Sequence, residues 1–229
     1  MTISDKNTCT YIVDICGTLV RDDTTLGLLQ HHFARHPRRN LRYWFYRVIT
    51  AHRSPLRLSF VVLEKITRRH LLKYFAIRLL TGDTIKALNQ SATEYAALLL
   101  TERRIPAVWQ ILEEPLKSKK PIVLASASLE PIVAALANSM GVHYIASKLE
   151  KQNGFYTGRY TLDITGDKVD VLKEKYNEIC LDEKLYVISD NITDLNLLKK
   201  AKHAYVVLHK ESHHQRWNGI NATFLKVDE

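Results

Sequence analysis

Two rhythms of apolar and polar positions run along the chain. Short apolar runs that stop at polar residues predict buried strands: Tyr11-Ile12-Val13 before Asp14, Pro121 to Ala125 before Ser126-Ala127-Ser128, and Leu185 to Ile188 before Ser189-Asp190-Asn191-Ile192-Thr193-Asp194. His143 to Ala146 and Ala204 to Leu208 are two more. Between them lie helical patterns: Pro131 to Met140 closed by Gly141, Lys168 to Lys175, and Leu195 to Ala201. Glycines punctuate Gly154 to Tyr160 as an exposed hairpin. Strand and helix in alternation predict an α/β fold, a Rossmann-like parallel sheet with helices on both faces.

A different pattern fills the stretch from Thr24 to Arg104. Leu58, Val61, Val62 and Ile66 recur at the three- and four-residue steps of one helix face, so this segment predicts an inserted helical layer. Its charge is one-sided. Between His31 and Leu80 stand Arg35, Arg38, Arg39, Arg42, Arg47, Arg53, Arg57, Lys65, Arg68, Arg69, Lys73 and Arg78 against the single acid Glu64, with Tyr43-Trp44-Phe45-Tyr46 and Tyr74-Phe75 interleaved.

Composition narrows the setting. A chain of 229 residues is long enough to bury a sizeable interior, and no repeat or low-complexity run interrupts it. Met1-Thr2-Ile3-Ser4-Asp5-Lys6 lacks the pattern of a secretory signal, and the longest uncharged stretch, Pro131 to Ser147, is broken by Asn138, Gly141 and His143, unlike a membrane span. Cys9, Cys16 and Cys180 are odd in number and lack paired spacing, which implies a reducing, cytoplasmic compartment and no thiolate zinc site. The net charge of +9 implies anionic partners. Nucleic acid is the weakest of these, because no nucleic-acid module accompanies the charge.

Four polar clusters fall at strand ends or helix starts: Asp14, Ser126, Lys168, and Asp190 with Asp194. A carboxylate attacking a phosphoryl group needs a cation to offset anionic repulsion, and Asp14 with Asp190 offers hard oxygens for Mg²⁺. Ser126 can donate to phosphoryl oxygens and Lys168 can balance developing charge. Taken singly, each has a plainer reading as helix cap, turn former or solvated surface group.

The order of these clusters resembles the haloacid dehalogenase superfamily, especially its phosphoserine-phosphatase-like branch. Asp14-Ile15-Cys16-Gly17-Thr18 is similar to the first motif, Ser126 to the second, Lys168 to the third, and Asp190 with Asp194 to the fourth. Thr157-Gly158-Arg159 followed by Gly166-Asp167-Lys168 is similar to the run this branch places at its lysine. The resemblance implies a core of residues 1–23 and 105–229 with an α-helical cap at 24–104. It implies Asp14 as the nucleophile of an aspartyl-phosphate, Mg²⁺ held by Asp14, the backbone carbonyl of Cys16 and Asp190, and Asp194 and Asn191 in support. Ser126 and Lys168 bind phosphate and Thr18 ties down the loop.

One position departs from the family. Its phosphatases carry a second Asp two residues after the nucleophile, where this chain has Cys16. That Asp is the general acid and base, a role worth ~10² to 10⁴ in rate, and a thiol with an ordinary pKa near ~8.5 replaces it poorly. Two expectations therefore stand: a Mg²⁺-dependent phosphatase acting on a sugar phosphate or a lipid-linked phosphate, or a catalytically impaired relative that binds or scaffolds through its basic cap. Peripheral contact of that cap with a membrane surface is a further expectation. The sequence carries no sign of an oligomeric state.

Overall fold

A computed structural model describes residues 9–35, 40–51, 54–67, 71–176 and 184–227. Cys180 and Arg38, Arg39, Arg53, Arg68 and Arg69 lie outside the described residues, as do residues 1–8 and the side chains of Val61, Lys65 and Ile66. Seven strands form one sheet: β1 (Thr10–Val13), β2 (Ile122–Leu129), β3 (His143–Gln152), β4 (Phe155–Leu162), β5 (Leu185–Ser189), β6 (His203–Leu208) and β7 (Thr223–Lys226). Their spatial order is β4-β3-β2-β1-β5-β6-β7. All neighbours are parallel except β3 and β4, which form an antiparallel hairpin.

β1 is a run of β-branched and aromatic residues with both edges paired, and all four of its side chains are buried. Central parallel strands are covered on both faces, which is why they read as continuous apolar runs. Successive residues of β1 enter different cores. Tyr11 and Val13 join a cluster with α1 (Thr24–Arg35), α5 (Ile85–Glu102), α6 (Pro106–Lys117) and α7 (Glu130–Met140). Ile12 joins Leu172 of α8 (Lys168–Lys175) and Leu197 and Leu198 of α9 (Leu195–Leu198). Helices therefore cover both faces, as the alternating pattern predicts.

The chain leaves β1 for β2 and β3 on one side, then returns for β5, β6 and β7 on the other. That reversal opens a crevice beyond the carboxyl ends of β1 and β5, the place where open α/β sheets bind ligands. Six helices separate β1 from β2: α1, α2 (Asn40–Thr50), α3 (Pro55–Thr67), α4 (Leu71–Arg78), α5 and α6. α5 begins at Thr84, whose hydroxyl accepts from the Ala87 amide at 3.2 Å. The helical layer meets the hairpin through backbone bonds: Gly82 N–H to the Tyr156 carbonyl at 2.9 Å, Tyr156 N–H to the Asp83 carbonyl at 2.8 Å, and Ile85 N–H to the Gly154 carbonyl at 3.1 Å.

Some boundaries differ from the sequence pattern for identifiable reasons. The serines after Ala125 lie within β2 rather than in a loop, because the backbone stays paired with β3 through a register shift between Ser126 and Leu129. The hairpin turns at Asn153 and Gly154, whose φ values of 49° and 83° are both left-handed, so the strands reach further than the glycine punctuation suggested. α9 stops at Leu198, and the short edge strand β7 lies beyond the last strand that the apolar pattern predicts.

A buried polar network ties the helical layer together. His32 Nδ1 lies 2.8 Å from Ser91 Oγ and its Nε2 3.0 Å from Asp83 Oδ2. Arg42 donates to Asp83 Oδ1 at 2.9 Å and to the Leu79 carbonyl at 3.0 Å. Removing one member of a buried pair leaves the other unsatisfied, so Asp83→Ala is expected to lower the unfolding free energy by about 3–5 kcal/mol. A urea titration measures this as a midpoint shift at unchanged slope, and a loss under about 1 kcal/mol would show that the network does not hold the layer.

Candidate active site

The loop after β1 is fixed from below by apolar side chains and from the side by a second loop. Ile15 and Leu19 are fully buried, and the Ile15 carbonyl accepts from the amides of Thr18, Leu19 and Val20 at 3.2, 2.9 and 3.1 Å. Gly17 has a φ of 71°, and a Cβ built there would fall 2.2 Å from Asp190 Oδ2. Both the turn and the closeness of that carboxylate require glycine. Thr18 clamps the two loops: its hydroxyl donates to Asp190 Oδ1 at 3.1 Å and accepts from the Asp190 amide at 2.9 Å.

Asp14, the first residue beyond β1, donates its amide to the Ile188 carbonyl of β5 at 2.9 Å, which sets the carboxylate at the switch point. Lys168, the first residue of α8, puts Nζ 2.8 Å from Asp14 Oδ1 and 2.8 Å from Asp194 Oδ2. Asp194 also accepts from the Ser189 hydroxyl at 2.7 Å, and Ser189 Oγ in turn accepts the Asn191 amide at 3.0 Å. Asn191 Oδ1 caps the 3₁₀ turn Ile192–Asp194 through the Thr193 amide at 3.0 Å. Lys168, Asp14 and Asp194 are all buried.

Burial governs the electrostatics. It pushes the Asp14 carboxyl up to about 6, with Asp194 and Asp190 adding to the rise and Lys168 opposing it. Burial likewise raises Asp190, against the Thr18 hydrogen bond and His209. At Lys168 burial disfavours the ammonium, but Asp14 and Asp194 outweigh it and hold the pKa above the usual lysine value. Three carboxylates stand near one ammonium, a negative surplus; at Asp14 the neighbouring carboxylates add to the effect of burial, whereas at Asp190 burial alone raises the value.

That surplus is a test of whether a divalent cation fits. The donors that face it are hard oxygens of Asp14 and Asp190 beside the backbone of Cys16, the oxygen-rich chemistry that Mg²⁺ takes with water completing its shell. Among the described residues no group of three or more His, Cys, Asp or Glu side chains gathers to hold a metal.

Cys16 lies apart from this charge cluster in its bonding. Its Sγ is 3.0 Å from Thr24 Oγ1 and 3.1 Å from Ser128 Oγ, and the Thr24 hydroxyl donates to Ser128 Oγ at 2.7 Å. Ser126 extends the chain, donating to Ser128 Oγ at 3.1 Å. Burial raises the thiol pKa, with Asp23 and Asp14 adding to it, so Cys16 is a neutral thiol among hydroxyls.

One cavity of about 410 Å³ collects Asp14, Cys16, Ser126, Lys168, Asp190 and Asn191. Thr18 is buried beneath it and Asp194 stands behind Lys168. The same cavity is lined by groups that the sequence reading did not single out: Asp23 before α1, Ser128 in β2, and His209 just past β6. His209 Nε2 donates to the Gly17 carbonyl at 2.7 Å and lies 3.4 Å from Asp190 Oδ2. Its place directly after an apolar strand is the one signal that marks it in sequence. Lys73 of α4, seen in sequence only as part of a basic segment, also lines the cavity and donates to the Ala127 carbonyl at 2.7 Å.

Known proteins agree with this architecture. The family model described as haloacid dehalogenase-like hydrolase matches residues 12–199. No curated protein matches the chain in sequence. A protein of unknown function from Bordetella pertussis Tohama I is similar in structure, with a TM-score of 0.68 and 17% identity over 96% of this chain and 99% of that one. Phosphoserine phosphatase in its apo form gives a TM-score of 0.60 at 13% identity, covering 97% of this chain and 96% of that one. Cytosolic 5'-nucleotidase IIIB bound to cytidine gives 0.59 at 11% identity, covering 97% and 83%. At these identities the structures speak for the fold, and the family match, which spans most of the chain, speaks for membership. The chain belongs to the haloacid dehalogenase-like hydrolases and has the fold of their phosphoserine-phosphatase-like branch.

Proposed function

We propose that this hydrolase is a phosphatase that cleaves a phosphate monoester through an aspartyl-phosphate on Asp14. The observation that carries the reading is the buried Lys168 ammonium 2.8 Å from both Asp14 and Asp194 at a cavity that also holds Asp190. A carboxylate oxygen of Asp14 attacks phosphorus, the bond from phosphorus to the ester oxygen breaks, and the departing alkoxide takes a proton. Water then attacks the same phosphorus, the bond from phosphorus to the Asp14 oxygen breaks, and inorganic phosphate leaves with the Asp14 carboxylate restored and the proton of the water released. Lys168 offsets charge on the phosphoryl oxygens, the Ser126 hydroxyl donates to them, and the Thr18 clamp keeps Asp190 against the nucleophile loop. Mg²⁺, which fits the oxygen donors present, would be held by Asp14, the Cys16 carbonyl and Asp190. When bound it supplies positive charge that eases the approach of two anions.

We read residues 24–104 as a cap over a core formed by 1–23 and 105–229. Lys73 supports this, because α4 brings it to the cavity from within that segment. His213 and Arg216, in the 3₁₀ helix Glu211–Trp217, line the same cavity and can donate hydrogen bonds to the group that carries the phosphate, which suits the hydroxyls of a sugar phosphate or the headgroup of a lipid-linked phosphate. The free thiols of Cys9 and Cys16 support a reducing, cytoplasmic setting.

Cys16 favours a second reading, a relative with impaired turnover. Its neutral thiol, engaged by Thr24 and Ser128, is poorly suited to activate water. The two readings separate in an assay with Mg²⁺ and a panel of phosphate esters. Phosphate release is expected from the wild-type chain and is expected to vanish in Asp14→Asn; equal rates in the two proteins would refute Asp14 as nucleophile. Cys16→Asp restores the missing acid and base and is expected to raise turnover by about 10² to 10⁴. An unchanged rate would assign proton transfer to another group in the cavity.

A further inference from the structure

Helices α2, α3 and α4 carry nine of the twelve large apolar side chains that are exposed among the described residues, and of these Tyr74 turns toward the hairpin, where it meets Asp163 and Tyr160. On α2, Leu41, Trp44 and Phe45 follow the steps of one helix face, with Leu41 73% and Trp44 59% exposed. The other face of α2 places Tyr46 and Ile49 in the core and Arg42 on Asp83. An ordinary surface helix is apolar toward the core and polar toward water, whereas α2 is apolar toward both. The pattern continues on α3, where Leu58 and Val62 are exposed four residues apart, and on α4, where Phe75 is exposed with its ring 5.1 Å from Phe60 of α3. α2 packs against both α3 and α4, so these side chains form one surface.

Charge of a single sign accompanies it. In sequence, residues 31–80 contain twelve Lys and Arg and one acid, Glu64; among the described side chains Arg47 stands exposed beside the apolar face of α2 and Arg78 is exposed at the end of α4, while Arg42, Arg57 and Lys73 are held in hydrogen bonds within the fold. A second copy of this chain seated on the same face would bring two such basic segments together, which their repulsion opposes. An anionic bilayer complements both features: phosphate headgroups answer the arginines, and the acyl boundary accepts Trp44, Phe45 and the leucines. Among the described residues no helix is long and apolar enough to cross a membrane, so the contact is with its surface.

We infer that the outer face of α2–α4 docks on the surface of an anionic lipid bilayer. α4 belongs to both surfaces, since Lys73 lines the catalytic cavity while Phe75 stands in the apolar face. Docking thus fixes the cavity relative to the lipid headgroups. The inference does not depend on turnover or on Asp14.

The full chain, sedimented with vesicles of phosphatidylcholine alone or with one third phosphatidylglycerol, tests it at low and high salt. Binding to the anionic vesicles at low salt is expected, weaker by about tenfold or more at high salt or without phosphatidylglycerol. The double variant Trp44→Ser, Phe45→Ser is expected to lose about tenfold in binding while its circular dichroism stays that of the wild type. The wild type supplies a readout that needs no variant: its tryptophan emission is expected to shift to shorter wavelength on anionic vesicles and to be quenched by brominated acyl chains. Trp44→Phe is expected to keep binding and lose that shift. Absence of binding at low salt overturns the inference, as does equal binding to neutral vesicles at both salts. A concentration-dependent dimer abolished by the double serine variant would assign the face to a second copy and overturn it equally.

Discussion

An ammonium group held out of water between two carboxylates sets the terms for this site. Lys168 comes from the start of α8, Asp14 from the end of β1 and Asp194 from the turn after β5, so the cluster forms only when three distant parts of the chain are in register. Isolating any one of these charges from solvent would be costly, and their mutual attraction offsets that cost only at close range and with further hydrogen bonds. Ser189 supplies one such bond to Asp194, and the Asp14 amide is tied to β5. The parallel pairing of β1 with β5 is thus a condition for the charges as much as for the core.

Polar groups around this centre divide into two environments. On the side of Asp190 the neighbours are charged or strongly polar, with the Thr18 clamp and His209 holding the glycine loop in place. On the side of Cys16 the neighbours are hydroxyls, and Thr24, Ser128 and Ser126 pass hydrogen bonds among themselves without a carboxylate. The side of the cavity with Asp14, Lys168 and Asp190 is built from charge, and the side with Cys16 from a thiol and hydroxyls, with Asp23 the carboxylate nearest in influence to the thiol. Cys16 is thus held by hydroxyl partners, Thr24 and Ser128, rather than by the charged groups.

The main strands and the first residue of each polar cluster were legible in sequence because central parallel strands are apolar on both faces and end abruptly where the site begins. Ser126 to Ser128 misled the reading of secondary structure, since side chains facing a cavity can be polar while their backbone stays in the sheet. His209 and Ser128 became recognisable as site groups only once strand order placed them beside Gly17 and Cys16. The His32, Ser91, Asp83 and Arg42 network was hidden for the same reason, as its members are far apart along the chain and carry no common spacing. The basic and aromatic character of the helical layer was plain, but its double-sided apolar pattern on α2 needed to know which face the core had taken.

The hairpin of β3 and β4 also has a mechanical consequence. Its tip is stitched to the Gly82–Ile85 link by three backbone bonds, and Gly158 lies so close to Arg78 and Thr81 that a side chain there would collide with them. α5 is thereby anchored at its beginning to the sheet edge, while its length packs into the core beside α7. The link between α4 and α5 is therefore part of the rigid frame at the sheet edge, and Arg78 at the end of α4 is held there with it.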